Sequence, residues 1–260
     1  MNKNKIALIT GATSGIGYEI AKLHASLGGD LVIASRNLDK LKNVQKEITN
    51  TFNVNVTIFK VDLSKPESAK KLYEKVKKSQ IEIDFLINNA GFGGYGLFME
   101  RDNHKDIEMI QLNIITLTNL MYLFLGDFIK KNNGKILNVS SSASLMPGPL
   151  QAVYFATKAY VKSLSNAVAR ELSDSNITIT NLMPAPTKTG FVSKANVSGS
   201  KMFNDLANPQ KVAKEGYFAM LNGRLNVLSG FSFWGKIKMK MIPFVPLNTL
   251  LDMIYNSQKK

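Results

Sequence analysis

The sequence predicts an α/β fold: a single domain built on a doubly wound, mostly parallel sheet. Three observations predict it. Short apolar runs alternate with helix-periodic segments through the first two-thirds of the chain. A glycine-rich turn directly follows the first of those runs. No stretch of the 260 residues has the composition of an interdomain linker, and no internal repeat divides them. Alternation of this kind is resolved by a parallel sheet with helices on both faces and right-handed crossovers.

Ile6-Ala7-Leu8-Ile9-Thr10 is the first short β-type run, and residues 18–27 carry helix periodicity. A second apolar run at 31–34 precedes a lysine-rich helical stretch at 38–49. Residues 56–61 alternate as a strand does, and 66–79 read as an amphipathic helix with Pro66 in its first turn. Residues 85–88 and 136–140 are the fourth and fifth strands, separated by a long apolar helix at 112–129. Asn113, Thr116, Thr118, Asn119 and Asp127 interrupt that helix, so it is expected to be buried or at an interface rather than in a bilayer. A helix over 153–173 and a strand at 177–183 complete the pattern.

Pro184-Ala185-Pro186 opens a different region. Residues 187–210 are polar and lie beyond the carboxyl end of a strand, where such sheets place their ligands. They are read as a substrate lid, although a plain surface loop has the same composition. The expected division is a catalytic domain at 1–230 and a basic, apolar tail at 231–260.

Composition removes several chemistries. Hydrophobic residues make up 45% of the chain and charged ones 20%, which suits a soluble protein with a sizeable core. Without cysteine there is no disulfide, thiol nucleophile or thiolate metal site. His24 and His104 are too few and too distant for a histidine cluster, so no metal is expected. The net charge of +14 raises the question of nucleic acid. The lysines are scattered, as in Lys70-Lys71 and Lys130-Lys131, with no aromatic platform between them, so no nucleic-acid partner is expected. The first apolar run is too short for a signal-peptide core, and a cytoplasmic location is expected.

Gly11, Gly15 and Gly17 are spaced G-x-x-x-G-x-G around Thr13, Ser14 and Ile16. Such glycines allow a tight strand-to-helix turn and let the backbone approach a pyrophosphate at a helix N-terminus. At the end of the second strand stand Ser35, which is uncharged, and Arg36, which can pair with a phosphate. An acidic residue there would bind a ribose 2′-hydroxyl and repel a 2′-phosphate, so NADP(H) is preferred with NAD(H) as the second choice. Asp62, followed by Leu63, is placed to accept from the adenine amino group, and Asn89, Ala90 and Gly91 leave room for a ribose.

Tyr154 and Lys158 form a Tyr-x-x-x-Lys pair, with Ser141 thirteen positions before the tyrosine. Reduction of a carbonyl leaves negative charge on oxygen, which needs a proton donor. Tyrosine alone has a pKa of about 10. Lys158 lies one helical turn further on, where its ammonium is expected to lower that pKa and to hydrogen-bond the ribose hydroxyls. Ser141 would polarise the substrate oxygen. The glycine turn and this triad, in this order, point to hydride transfer between a nicotinamide and a carbonyl or alcohol carbon.

These residues together resemble the short-chain dehydrogenase/reductase family over about residues 5–190. The resemblance implies a Rossmann-like fold, with nicotinamide contacts near Pro184, Thr187 and Thr189. It also implies that Asn113 kinks its helix and holds a water in a proton relay to Lys158. A homodimer through the helices around 112–129 and 153–173 is implied as well. Pro184-Ala185 departs from the family's Pro-Gly, and residues 223–260 resemble a reductase subgroup with an extended basic, apolar tail. A binding or regulatory protein that senses NADP(H) is the alternative; inactive relatives usually lose the tyrosine or lysine, and this chain keeps both.

The substrate is expected to be a small carbonyl or alcohol. Phe191, Val192, Met202, Phe203, Leu206 and Trp234 point to an apolar or lipid-like one, or to ordinary packing. In the tail, Trp234, Lys236, Lys238, Lys240, Met241 and Phe244 have the composition of a membrane interface. Pro243 and Pro246 break any long amphipathic helix ahead of residues 247–255. The tail is therefore expected to pack on the domain edge or on a second subunit, with peripheral membrane contact the less favoured reading. That packing would block a tetramer-forming edge and leave a dimer.

Overall fold

The structure is a computed structural model that describes residues 5–260. The start of the expected 1–230 domain, and with it the expectation that no leader precedes the first strand, lies outside the described residues. Seven strands, β1 (Ile6–Thr10), β2 (Asp30–Ser35), β3 (Val56–Lys60), β4 (Phe85–Asn88), β5 (Gly134–Val139), β6 (Ile177–Pro184) and β7 (Asn226–Ser229), form one sheet. Its order is β3-β2-β1-β4-β5-β6-β7, and every pairing is parallel. The chain reverses its direction of travel between β1 and β4, and the loops leaving these two strands diverge there. That split is where an open α/β sheet holds a ligand.

Both faces of the sheet are covered, which is why its strands read as unbroken apolar runs. Alternate residues face opposite ways along a strand. Ala7 and Ile9 therefore join Leu31 and Ile33 on one side, under α1 (Gly15–Ser26), α2 (Leu38–Phe52) and α8 (Pro209–Leu221). Leu8 joins Val32, Leu86 and Ile136 on the other, under α3 (Ser68–Lys78), α5 (Leu117–Lys130) and α6 (Ala152–Glu171). His24 is a packing residue: it is buried, its Nδ1 lies 2.6 Å from the Tyr217 hydroxyl on α8, and burial lowers its pKa.

Local chemistry sets the helix ends. Asn37 caps α2 by accepting from Lys40 N at 2.9 Å, and Asn53 closes it in the left-handed conformation. Asn208 caps α8, with Pro209 at its first position. Pro66, expected within a first turn, lies ahead of α3, because Glu67 takes a left-handed φ of 59° and delays the helix to Ser68.

The long helix starts earlier than its apolar stretch, with α4 (Asn103–Ile110), and continues through a π-wound segment at Gln111–Thr116 into α5. Its 28 residues are long and apolar enough to cross a membrane. Leu117, Leu120, Met121, Phe124 and Phe128 are instead buried against the sheet. The segment after β6 contains α7 (Phe191–Lys194) and a 3₁₀ turn at Lys201–Phe203, and Thr187 bridges to Ala207. Beyond β7 come α9 (Phe233–Met241) and α10 (Leu247–Gln258).

Candidate active site

A cavity of about 930 Å³ opens at the carboxyl ends of the strands. Gly11, Thr13, Ser14, Gly15 and Ile16 line one end. Gly11 and Gly15 have φ of +68° and +60°, and a Cβ on Gly11 would meet the Ala90 backbone at 3.0 Å. No side-chain bond caps α1 at Ser14, so its first N–H groups are free to meet an anion. Asn89 fastens this turn to the end of β4: its Nδ2 donates to Thr10 O at 3.0 Å and Gly11 O at 3.1 Å. Thr10 Oγ1 accepts from both Asn89 N and Ala90 N at 3.0 Å.

Arg36 lines the same end, exposed at the rim, and Ser35 Oγ lies 3.5 Å from Thr13 Oγ1. Asp62 accepts from Ser64 N at 3.1 Å and Ser64 Oγ at 2.8 Å. Burial pushes its pKa up, but these bonds and the charges of Arg36 and Lys65 outweigh that and hold the carboxyl below its usual range.

At the other end, Ser141 follows β5, and Tyr154 and Lys158 project from α6 onto the same cavity wall. Lys158 is buried, its Nζ donates to Val139 O at 2.9 Å, and it lies 5.8 Å from the Tyr154 ring centroid. Burial pushes the Tyr154 phenol up to about 12, with a hydrogen bond from Ser141 opposing it. Burial also pushes Lys158 down to about 8. The expectation that the ammonium would lower the tyrosine's pKa is therefore reversed in this state of the protein. Loss of water around the phenol dominates, and the group is held protonated, as a donor must be.

Of the other expected residues, Leu63, Ala90, Gly91, Pro184, Thr187 and Thr189 also line the cavity. Gly17 and Asn113 do not. Gly17 sits where α1 crosses Asn89, and an added Cβ would overlap Asn89 Nδ2. Asn113 lies in the π-wound segment behind Gly91; its Nδ2 donates to Phe92 O at 3.0 Å and Thr157 Oγ1 at 3.1 Å. It ties the loop after β4 to the catalytic helix. Ala185 needs no positive φ: it directly follows β6, and its N–H donates to Ser229 O at 2.8 Å.

Beyond Tyr154 the lining is mainly apolar, with Gln151, Lys194 and Asp205 also on the cavity surface. Phe191, Met202 and Phe203 line it as anticipated, whereas Val192, Leu206 and Trp234 do not. The Phe191 ring lies 5.2 Å from that of Tyr154. Sequence reasoning missed Met146, Gln151 and Phe155, and also Phe231, Met239 and Ile254 from the C-terminal segment. Gln151, next to the first turn of α6, and Gln258 are both buried and bonded to each other. The Tyr95 hydroxyl donates to Gln258 O at 3.0 Å. The tail thus completes the cavity, for which its sequence carries no local signal.

Residues 5–198 match a family profile described as short chain dehydrogenase. The very-long-chain 3-oxoacyl-CoA reductase of Rattus norvegicus is 33% identical over 184 residues, which are 68% of this chain and 58% of the rat protein. An uncharacterized oxidoreductase of Bacillus subtilis is 32% identical over 187 residues, covering 72% of this chain and 70% of its own. Among solved structures, the short-chain dehydrogenase from Sphingobium yanoikuyae in complex with NADPH superposes with a TM-score of 0.81. It is 28% identical and covers 86% of this chain and 87% of that one. The chain spans 58% of the length of the rat reductase, less than two-thirds.

Proposed function

The chain belongs to the short-chain dehydrogenase family, and from that premise we propose that it is an NADP(H)-dependent oxidoreductase acting on the carbonyl or alcohol carbon of an apolar small molecule. One observation carries the reading: Ser141, Tyr154 and Lys158 share a single cavity with the glycine turn and Arg36. Its volume, about 930 Å³, is at the upper end of the roughly 300–1,000 Å³ typical of ligand sites, enough for a dinucleotide with a substrate beside it. The cofactor, when bound, supplies or accepts the hydride.

The chain's own residues handle the proton. In reduction, Ser141 donates a hydrogen bond to the substrate oxygen, and Tyr154, kept protonated by burial, gives that oxygen its proton. The Lys158 ammonium stabilises the phenolate left behind. In oxidation the proton returns along the same path. Phe191, Met202 and Phe203 form an apolar wall beside Tyr154, which supports an apolar substrate. Tyr122, 78% exposed on α5, and the exposed Tyr160 on α6 support a homodimer through these two helices.

Two tests address the cofactor. Arg36→Ala removes a charge-assisted bond of about 1.5–3 kcal/mol, so NADPH binding should weaken at least about tenfold while NADH binding changes little. Calorimetric titration of both cofactors reads this, and equal loss for both would mean that Arg36 does not read the 2′-phosphate. The second test concerns pH. A free lysine stays charged to about 10.4, but Lys158, lowered to about 8, loses its proton as pH rises through that value. NADPH affinity should therefore fall as pH rises through about 8, and in Lys158→Met that step should vanish.

A further inference from the structure

One face of α9 belongs to the cavity: Gly235 and Met239, four residues apart, line it. The opposite face has no partner among the described residues. Phe233 is 72% exposed, Trp234 70%, Met241 51% and, in the turn that follows, Phe244 77%. Isolated exposed apolar residues are ordinary, but a contiguous aromatic group on one short helix is not. The rings of Phe233 and Trp234 lie 5.6 Å apart, edge to face. Lys238 and Lys240 are exposed beside them, and no carboxylate occurs between Glu215 and Asp252.

We propose that this face is a docking surface for an anionic lipid bilayer, which sets α9, whose other face lines the cavity, against the membrane. Aromatic side chains sit at headgroup depth, while lysines reach lipid phosphates and carboxylates. A protein partner would need matching acidic groups, whereas an anionic bilayer offers negative charge and an apolar layer at one surface. Packing and docking are compatible, because α9 uses opposite faces for each. Pro243 and Pro246 limit the contact to α9 and the turn after it, so the association is peripheral and reversible. Delivery of an apolar substrate from the bilayer rests on the proposed activity; the docking itself does not.

Trp234 is the only tryptophan of the chain and reports the contact directly. The full chain is mixed with vesicles of phosphatidylcholine alone or with phosphatidylglycerol. Co-sedimentation and a blue shift of tryptophan emission are expected with the anionic vesicles and decline as salt rises. Phe233→Ser with Phe244→Ser, or Lys238→Glu with Lys240→Glu, should each weaken binding roughly tenfold. Both variants should retain wild-type melting and turnover of a water-soluble ketone, since none of these four side chains lines the cavity. No binding to either vesicle, or binding that both variants retain, overturns the proposal. So does a concentration-dependent oligomer that the phenylalanine variant dissolves, because the occupant is then a second copy. If no carbonyl compound is turned over but vesicle binding is lost as described, docking stands and the proposed activity falls.

Discussion

Tyr154→Phe is expected to reduce turnover by about 10²–10⁴-fold, the usual contribution of a positioned acid or base, while leaving NADPH binding within a few-fold of wild type. The substitution removes one hydroxyl and keeps the ring. The contacts of that ring with Phe155, at 6.1 Å, and Phe191, at 5.2 Å between centroids, do not involve the oxygen. The shape of the wall therefore survives while the proton donor is lost. Steady-state rates beside a fluorescence titration with NADPH separate the two effects. The experiment also separates an enzyme from a cofactor sensor, because a sensor would lose nothing on this change. Undiminished turnover would remove Tyr154 from the reaction.

Gly17→Ala should have the second-largest effect, through a single methyl group. The added Cβ would overlap Asn89 Nδ2 and lie 2.8 Å from Gly11 O. Neither can yield easily, since Asn89 Nδ2 donates to Thr10 O and Gly11 O and so holds the glycine turn against the end of β4. Overpacking of this kind costs about 1–3 kcal/mol. In a domain of this size that is a fall in Tm of roughly 2–10 °C. NADPH affinity should fall more than about tenfold as the turn moves, in line with the loss of one charge-assisted bond or more. Thermal melts and cofactor titrations read both. Because the two side chains are in contact, Asn89→Ala should partly rescue the melting temperature of Gly17→Ala. Additive losses would show that the overlap is not the cause.

The parallel sheet was legible because strands covered on both faces carry apolar runs that need no context, as Ile6–Thr10 and Phe85–Asn88 do. Tyr154 and Lys158 were legible because four residues on a helix is a local spacing. Helix α8 and strand β7 were not read. The strand has only four residues, and α8 is amphipathic toward α1, a partner distant in sequence. The start of the long helix at Asn103 was missed for a different reason: its first turn is polar, and the apolar stretch begins only at Leu112. Two features needed the folded chain. One is the sign of the Tyr154 pKa shift: sequence gives neighbouring charges but not the water that burial removes. The other is the tail, whose Met239 and Ile254 reach the cavity only through long-range packing.

The seal made by Gln258 has a consequence in time. Its partners Gln151 and Tyr95 precede it by 107 and 163 residues. A ribosome adding about 5–20 residues per second finishes Gln151 roughly 5–20 s before it reaches Gln258. During that interval β6 and β7 are still being made, and the cavity lacks the lining that Met239 and Ile254 supply until the tail follows. The pocket thus cannot close before the tail is made, and closing so long a loop carries an entropy cost. A chaperone that shields apolar surface has its window there, after the strands have paired and before the tail has arrived.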